Sequence, residues 1–280
     1  MSVELPEAKI LAEQMNKELR GKCIESYHLQ DYERLQKIGM LNKDVNDFEQ
    51  LVKGEIDFVT SRGNVIRMKL HNEMSLILGL EYGGKIFYHT TVKTLPTKFH
   101  LQLHFCDGTM LTVRLTSMGI IQALKDDDLE HSYVFRRDFN PEVPSPLDET
   151  FTFQSFSKHL MHNNRMLKSV LVGKDAIIVG LSNSAFQDII FRAKLHPKRK
   201  ASELTRNERR SLYDAIQLML RERIQLNGKY QFYDLYGQQG RYTPAMGPHM
   251  KRQVCPVCRT SIEKLHVGGG YIYLCLTCQV

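Results

Sequence analysis

Four cysteines near the C-terminus, Cys255, Cys258, Cys275 and Cys278, form the pattern C-x2-C-x16-C-x2-C. Each C-x-x-C lets one tight turn present two thiolates to a single ion, and the spacing between the pairs is that of a zinc ribbon. The pattern predicts one Zn2+ held by four sulfurs, and the closed shell, with no open coordination position, makes the expected ion structural. The competing reading is four reduced cysteines that bind nothing. Gly268, Gly269 and Gly270 between the pairs are expected to form a hairpin tip, with Tyr271, Ile272 and Tyr273 as the returning strand. Such a tip either lies on a nucleic-acid groove or is simply a turn that needs glycine. The remaining cysteines, Cys23 and Cys106, are expected as buried thiols.

Other residues carry chemistry less specifically. Glu4 and Glu7 stand three apart at the start of the chain. Glu4 could protonate a leaving group or activate water if burial or nearby phosphates raised its proton affinity. Equally, both acids favour a helix N-terminus, worth a few tenths of a kcal/mol each. Asn183, in Val179-Gly180-Leu181-Ser182-Asn183, is either a helix N-cap or an amide donor to an anion beside free helix N–H groups. His159 and His162 share a helical face, but a metal site or proton relay there lacks a third partner.

The elements that must position these residues follow from composition and period. The chain has 280 residues, 42% of them apolar, which suits two modest domains. No apolar run reaches the roughly 20 residues that span a bilayer, and MSVELPEAKI lacks the basic then apolar start of a signal peptide. An intracellular, cytoplasmic protein is expected. Residues 1–150 hold 18 Lys+Arg against 23 Asp+Glu, a net of −5, and residues 151–280 hold 20 against 8, a net of +12. A basic half attracts polyanions, and counterion release from a nucleic acid turns such charge into affinity. Acidic lipids or acidic partners could read the same charge.

Pro6 followed by Ile10, Leu11, Met15 and Leu19 predicts an N-terminal helix stopped at Gly21. Short alternating runs then predict an antiparallel sandwich or barrel: Ile56/Phe58, Val65 to Leu70, Leu76 to Leu80, Leu101/Leu103/Phe105 and Leu111/Val113/Leu115, with Asp107-Gly108 as a hairpin turn. The acidic, proline-bearing stretch from Lys125 to Glu149 reads as a linker. Beyond it Thr205-x-x-Glu208 predicts a capping box. The helix it starts has Leu212, Ile216, Met219 and Leu220 as its apolar face and Arg206, Arg209, Arg210, Arg221 and Arg223 around the rest.

Taken together, Glu4-Leu5-Pro6-Glu7, the Asn183 segment, the helices after it and the finger ending Cys275-x-x-Cys278-Gln279 resemble the formamidopyrimidine-DNA glycosylase and endonuclease VIII family. The resemblance runs through the whole chain in the family's order. It implies an α+β multidomain protein: an N-terminal helix and β-sandwich over residues 1–130, a linker over 131–150, a helix-two-turn-helix domain over 151–250 and a zinc finger over 251–280. It further implies a monomer that binds damaged duplex DNA and takes an extrahelical nucleotide into a pocket, since a glycosidic bond cannot be reached inside the stack. Asn183 and basic residues such as Lys168 are then phosphate contacts.

The sequence departs from the family at four places. The family's nucleophile is an N-terminal amine, usually proline, directly before the glutamate matched by Glu4. Here Val3 fills that slot, so an amine exposed at Ser2 by loss of Met1 stands one residue away, about 3.8 Å along the chain. Asn64, after Arg62-Gly63, replaces the family's hairpin lysine, and Gly270 replaces the finger's arginine. Leu80 and the Ser117-Met118 pair match the residues that fill the gap left by a flipped base, where Leu80 and Met118 can still wedge and Ser117 cannot replace an arginine. The expected function is a base-excision-repair glycosylase that uses Glu4, with Ser2 and Glu7 as further candidates, and whose AP-lyase step is weak or lost. The alternatives are a non-catalytic binder of damaged or distorted DNA, and a zinc-ribbon RNA-binding factor that would leave ELPE and the sandwich unexplained.

Overall fold

Pro6 lacks the N–H that a first helical turn cannot satisfy, and it sits in the opening turn of α1 (Leu5–Leu19). One stripe of that helix, Ala8, Leu11, Met15 and Leu19, is buried. Gly21, at φ +78°, then turns the chain where a side chain would be strained. The protein is described from a computed structural model covering residues 3–81, 83–173 and 175–280.

The following strands are β1 (Ile24–Leu29), β2 (Ile56–Arg62), β3 (Val65–Leu70), β4 (Met74–Gly79), β5 (Lys85–His89), β6 (Leu101–Phe105), β7 (Met110–Arg114) and β8 (Ile120–Lys125), with a short helix α2 (Tyr32–Lys37) after β1. They pair into two four-stranded antiparallel sheets, ordered β1-β6-β7-β5 and β2-β3-β4-β8. Every residue of β4 is buried, because it lies between β3 and β8. The turn expected at Asp107-Gly108 joins β6 to β7, in register at Leu103 and Leu111. The sequence pattern did not single out β1, β5 or β8. All three are edge strands: β1 (IESYHL) alternates weakly, β5 is only five residues long, and β8 closes the second sheet beside β4.

The linker expected over 131–150 is shorter in the structure. The helix α3 (Tyr133–Asp138) folds onto the sandwich, where Phe135 and Leu129 bury against Val65 and Ile77. The chain divides into one unit of Met1–Asn140 with Leu226–Arg241, and another of Pro141–Gln225 with Tyr242–Val280. Residues 226–241 therefore belong with the sandwich and not with the helical region expected over 151–250. The thiols also differ from expectation, with Cys23 half-buried and Cys106 exposed.

The second unit holds α4 (Phe153–Met161), α5 (Leu167–Leu171), α6 (Asn183–Arg192) and α7 (Arg206–Gln225), then the hairpin β9 (Glu263–Val267) and β10 (Gly270–Leu274). The capping box forms as expected: Thr205 N donates to Glu208 Oε2 at 2.7 Å, and Glu208 N donates to Thr205 Oγ1 at 3.3 Å. Leu212, Ile216, Met219 and Leu220 make the buried face of α7, but Arg223 is buried too and not on the solvent side. Among the described residues no helix is long and apolar enough to cross a membrane.

A buried charge organises this unit. Asp188 accepts from Arg192 Nε at 2.9 Å, from Ala245 N at 3.1 Å and from the Tyr242 hydroxyl, while Arg192 also pairs with Glu222 at 2.8 Å. Burial and the Asp188 charge hold the Tyr242 phenol protonated well above the ordinary range. Removing one partner of a buried pair leaves an uncompensated charge, at about 3–5 kcal/mol. Asp188→Ala is therefore expected to lower stability by about that much in urea unfolding. A loss under about 1 kcal/mol would show that Arg192 and Tyr242 find other partners.

Candidate active site

Glu4 caps α1, and its backbone N–H donates to Glu7 Oε2 at 3.2 Å. Both carboxylates are buried, at 1% and 0% exposure. The Lys229 ammonium donates to Glu4 Oε2 at 2.8 Å, and the Lys229 backbone N–H donates to Glu7 Oε1 at 3.1 Å. Lys229 itself is only 3% exposed. A helix-terminus preference of tenths of a kcal/mol does not account for this, because burying a carboxylate costs several kcal/mol unless it is paired and hydrogen-bonded. The three groups make a built polar site in the first unit.

Local geometry fixes the lysine. Gly228, at φ +83°, turns the chain under Glu7, and a Cβ there would come within 2.6 Å of Phe232 Cδ1 and 3.2 Å of Glu7 Cγ. Where the segment closes, a Cβ on Gly240 would meet the Gly228 and Lys229 carbonyl oxygens at 2.4 Å. Asp234 holds the interior of the loop, accepting from Tyr236 N at 3.0 Å and Gln238 N at 2.8 Å. Gln14, from the helix that Glu4 caps, donates to Asp234 at 3.0 Å and accepts from Leu235 N at 3.0 Å. The segment that carries Lys229 is thus clamped to the helix that carries Glu7.

The approach to Glu4 is fixed as well. Val3 is buried and its N–H donates to the Leu80 carbonyl at 3.3 Å. Ser2 lies outside the described residues. Leu80, expected as a wedge, is buried at 1% exposure, with its side chain packed where Gly84 leaves no room for a Cβ. Met118 is 66% exposed at φ +50° and can reach a partner.

Asn64 and Arg62 flank the β2–β3 turn. Asn64 N donates to the buried Asp138 at 3.0 Å, and its Oδ1 accepts from Arg137 Nη2 at 2.9 Å. A guanidinium therefore stands beside the position where asparagine lacks charge, although Arg137 is shared with Asp138 and with Glu81 at 3.2 Å. Burial, chiefly, pushes the Asp138 carboxyl up.

Lys168, Asn183 and Gly270 come together in the second unit. Lys168 is buried, which lowers the proton affinity of its amine, and its Nζ donates to the Val267 carbonyl. Asn183 Nδ2 donates to the Tyr271 carbonyl at 2.8 Å. Asn183 is the first residue of α6, not its cap: Ser182 caps, accepting from Ser184 N at 3.1 Å. A Cβ on Gly270 would lie 3.3 Å from Lys168 Nζ, so the missing side chain leaves that space to the lysine.

The four cysteine sulfurs lie within 4.8 Å of one another, with Cys255 and Cys278 at 3.8 Å and Cys258 and Cys275 at 3.3 Å. Sulfurs about 2.3 Å from a tetrahedral ion sit about 3.8 Å apart, so the cluster is positioned to bind a metal. The Thr260 hydroxyl draws the Cys258 thiol down to about 6, while the hydrogen bond with Cys258 pushes Cys278 up to about 12. Four adjacent sulfurs cannot all ionise without a cation among them. His159 and His162 are both exposed.

Residues 3–116 match the family model for the formamidopyrimidine-DNA glycosylase N-terminal domain, and residues 143–233 match that for the formamidopyrimidine-DNA glycosylase H2TH domain. Among curated relatives, the formamidopyrimidine-DNA glycosylase of Bacillus cereus is 28% identical over 281 residues, covering 99% of this chain and 98% of that one. The Streptococcus pneumoniae enzyme of the same name is 27% identical with the same coverage. Among solved structures, Lactococcus lactis Fpg in complex with DNA containing an abasic site superposes with a TM-score of 0.84 at 23% identity, over 99% of each chain. The MutM (Fpg) protein of Thermus thermophilus gives 0.81 at 23%, over 99% of this chain and 98% of that one.

Lys229 escaped sequence reasoning because it and Glu4 are 225 residues apart, and only the Asn227-Gly228 turn marked the region. The glycine geometry makes a differential prediction. Gly228→Ala adds a clash to backbone strain, whereas Gly237→Ala, at φ +79° with open space around it, adds strain alone. Strain costs about 1–3 kcal/mol, so Gly228→Ala should be the more destabilising in urea. Equal losses would mean that the Phe232 and Glu7 contacts relax freely.

Proposed function

We propose a function on the premise that this chain belongs to the formamidopyrimidine-DNA glycosylase family, matched in order from its N-terminal domain through its helix-two-turn-helix domain. The protein is a DNA glycosylase of base excision repair that acts on duplex DNA carrying a damaged base. The observation that carries this reading is Glu4: it keeps the family's place at the head of α1, buried and hydrogen-bonded, where a proton can be exchanged with a reacting group. The basic second unit supplies the phosphate contacts, with Lys168 and Asn183 beside the finger hairpin. The four cysteines hold one structural Zn2+, which supplies folding energy to the finger and no chemistry. The protein works as a monomer in the compartment that holds the DNA.

The lyase step is weak or lost. Cleaving the strand after base removal needs an amine bonded to the sugar and cations that hold the flipped nucleotide. Val3, Asn64 and Gly270 occupy three of those positions, and the Val3 N–H is already bonded to Leu80. The same three departures favour the second reading, a binder of damaged DNA that does not cut.

Base release measured on lesion-bearing duplexes separates the two readings. Release should occur and fall about 10²–10⁴-fold in Glu4→Gln, with little borohydride trapping of protein on abasic-site DNA. Tight lesion binding with no release from any duplex would leave the binder standing, and efficient trapping at Ser2 would show that a shifted amine suffices. Elemental analysis of protein purified without added metal should find one zinc per chain, and Cys275→Ser should lose it and unfold the finger. Well-folded protein without zinc would contradict the metal assignment.

A further inference from the structure

We propose that Lys229 holds Glu4 as a carboxylate, so that Glu4 serves as a general base toward water and not as an acid toward the departing base; this rests on the glycosylase reading above. Glu7 accepts a neutral donor at each of its two oxygens, from Glu4 N at 3.2 Å and from Lys229 N at 3.1 Å. The Lys229 ammonium is directed to Glu4 at 2.8 Å. Glu7 from α1 and Lys229 from the 226–241 segment are charged groups that face Glu4, and the residue after β4 offers the Leu80 carbonyl, taken by Val3 N. A cation at hydrogen-bond distance from a carboxylate that is only 1% exposed favours its ionised form, against the burial that would otherwise protonate it.

An ionised carboxylate can accept a proton and cannot donate one. That assigns the reaction. Glu4 takes a proton from a water as the water oxygen bonds to C1′ of the extrahelical nucleotide. The C1′–N bond breaks with its electron pair leaving on the base, which takes a proton from solvent, and Glu4 returns its own proton to solvent. Lys229 ends as it began, an ammonium with no lone pair to attack the sugar. It is a positioning residue: it acts through Glu4. The chain thereby replaces the route closed by Val3 with one that needs no amine nucleophile and leaves an intact abasic strand.

The test uses full-length protein labelled with 13C at the glutamate carboxyls, the Glu4 signal being identified by its absence in Glu4→Gln. In the wild type Glu4 should be ionised at pH 7. In Lys229→Met, or Lys229→Gln if the methionine variant does not fold, its titration midpoint should rise by at least about one pH unit, and Lys229→Arg should restore it. The acidic limb of the pH profile for single-turnover base release should move with it, giving a loss of at least about tenfold at pH 7 in Lys229→Met and rescue in Lys229→Arg. A wild-type Glu4 that is protonated at pH 7 overturns the proposal without any variant. An unchanged Glu4 titration in Lys229→Met overturns it too, as does borohydride trapping that maps to the Lys229 peptide, since the lysine would then be a nucleophile. Absence of base release from wild-type protein removes the glycosylase reading and the general-base role together, while the carboxyl titration still reads the ion pair on its own.

Discussion

Two carboxylates buried at the head of one helix, one of them paired with the buried Lys229 ammonium, are the constraint around which the first unit is organised. Glu4 and Glu7 cannot sit at 1% and 0% exposure unless their oxygens are satisfied and part of their charge is balanced. The Lys229 side chain and backbone N–H do both, one at each carboxylate. Everything that fixes Lys229 therefore also fixes the site. Gly228 permits the backbone to pass under Glu7, Gly240 lets the segment close on itself, and Gln14 with Asp234 ties the segment to α1. This explains why residues 226–241 pack with the sandwich although the chain on either side of them belongs to the other unit.

The proposed weakening of the lyase step has a physical reading at three positions. Val3 is held by a backbone bond to Leu80, so a buried aliphatic residue stands where the proposed weakening of the lyase step requires no amine. Asn64 carries no charge but lies against Arg137, and Gly270 carries no side chain but leaves space beside Lys168. At these last two positions a cation from elsewhere in the sequence stands close by. Arg137 is partly neutralised by Asp138 and Glu81, and Lys168 is buried against Val267, so neither repeats an exposed phosphate clamp.

The cysteine spacing was legible because both pairs are local and one ion needs one geometry. The α7 cap and apolar face were legible for the same reason, since period and capping act within a few residues. Strands buried on both faces, such as β4, announced themselves as apolar runs, but the edge strands β1, β5 and β8 did not. Asn183 could be placed at a helix start but not distinguished from its neighbour Ser182, which is the cap. Leu80, matched to a residue that wedges between bases, is buried against Gly84, which no local pattern announces. The Lys229–Glu4 pair had no sequence signal at all, because a lysine after Asn-Gly reads as a solvated turn and nothing in one dimension joins it to a residue 225 positions earlier.

The central claim is that this buried pair is the reaction centre. The most direct measurement is a crystal structure of the full chain on a duplex carrying a damaged nucleoside whose glycosidic bond cannot be cleaved. The account predicts an extrahelical sugar with C1′ facing Glu4, a water between them within hydrogen-bond reach of the carboxylate, and Lys229 still paired to its other side. An extrahelical sugar approached by the N-terminal amine instead, or one bound away from Glu4, would contradict it.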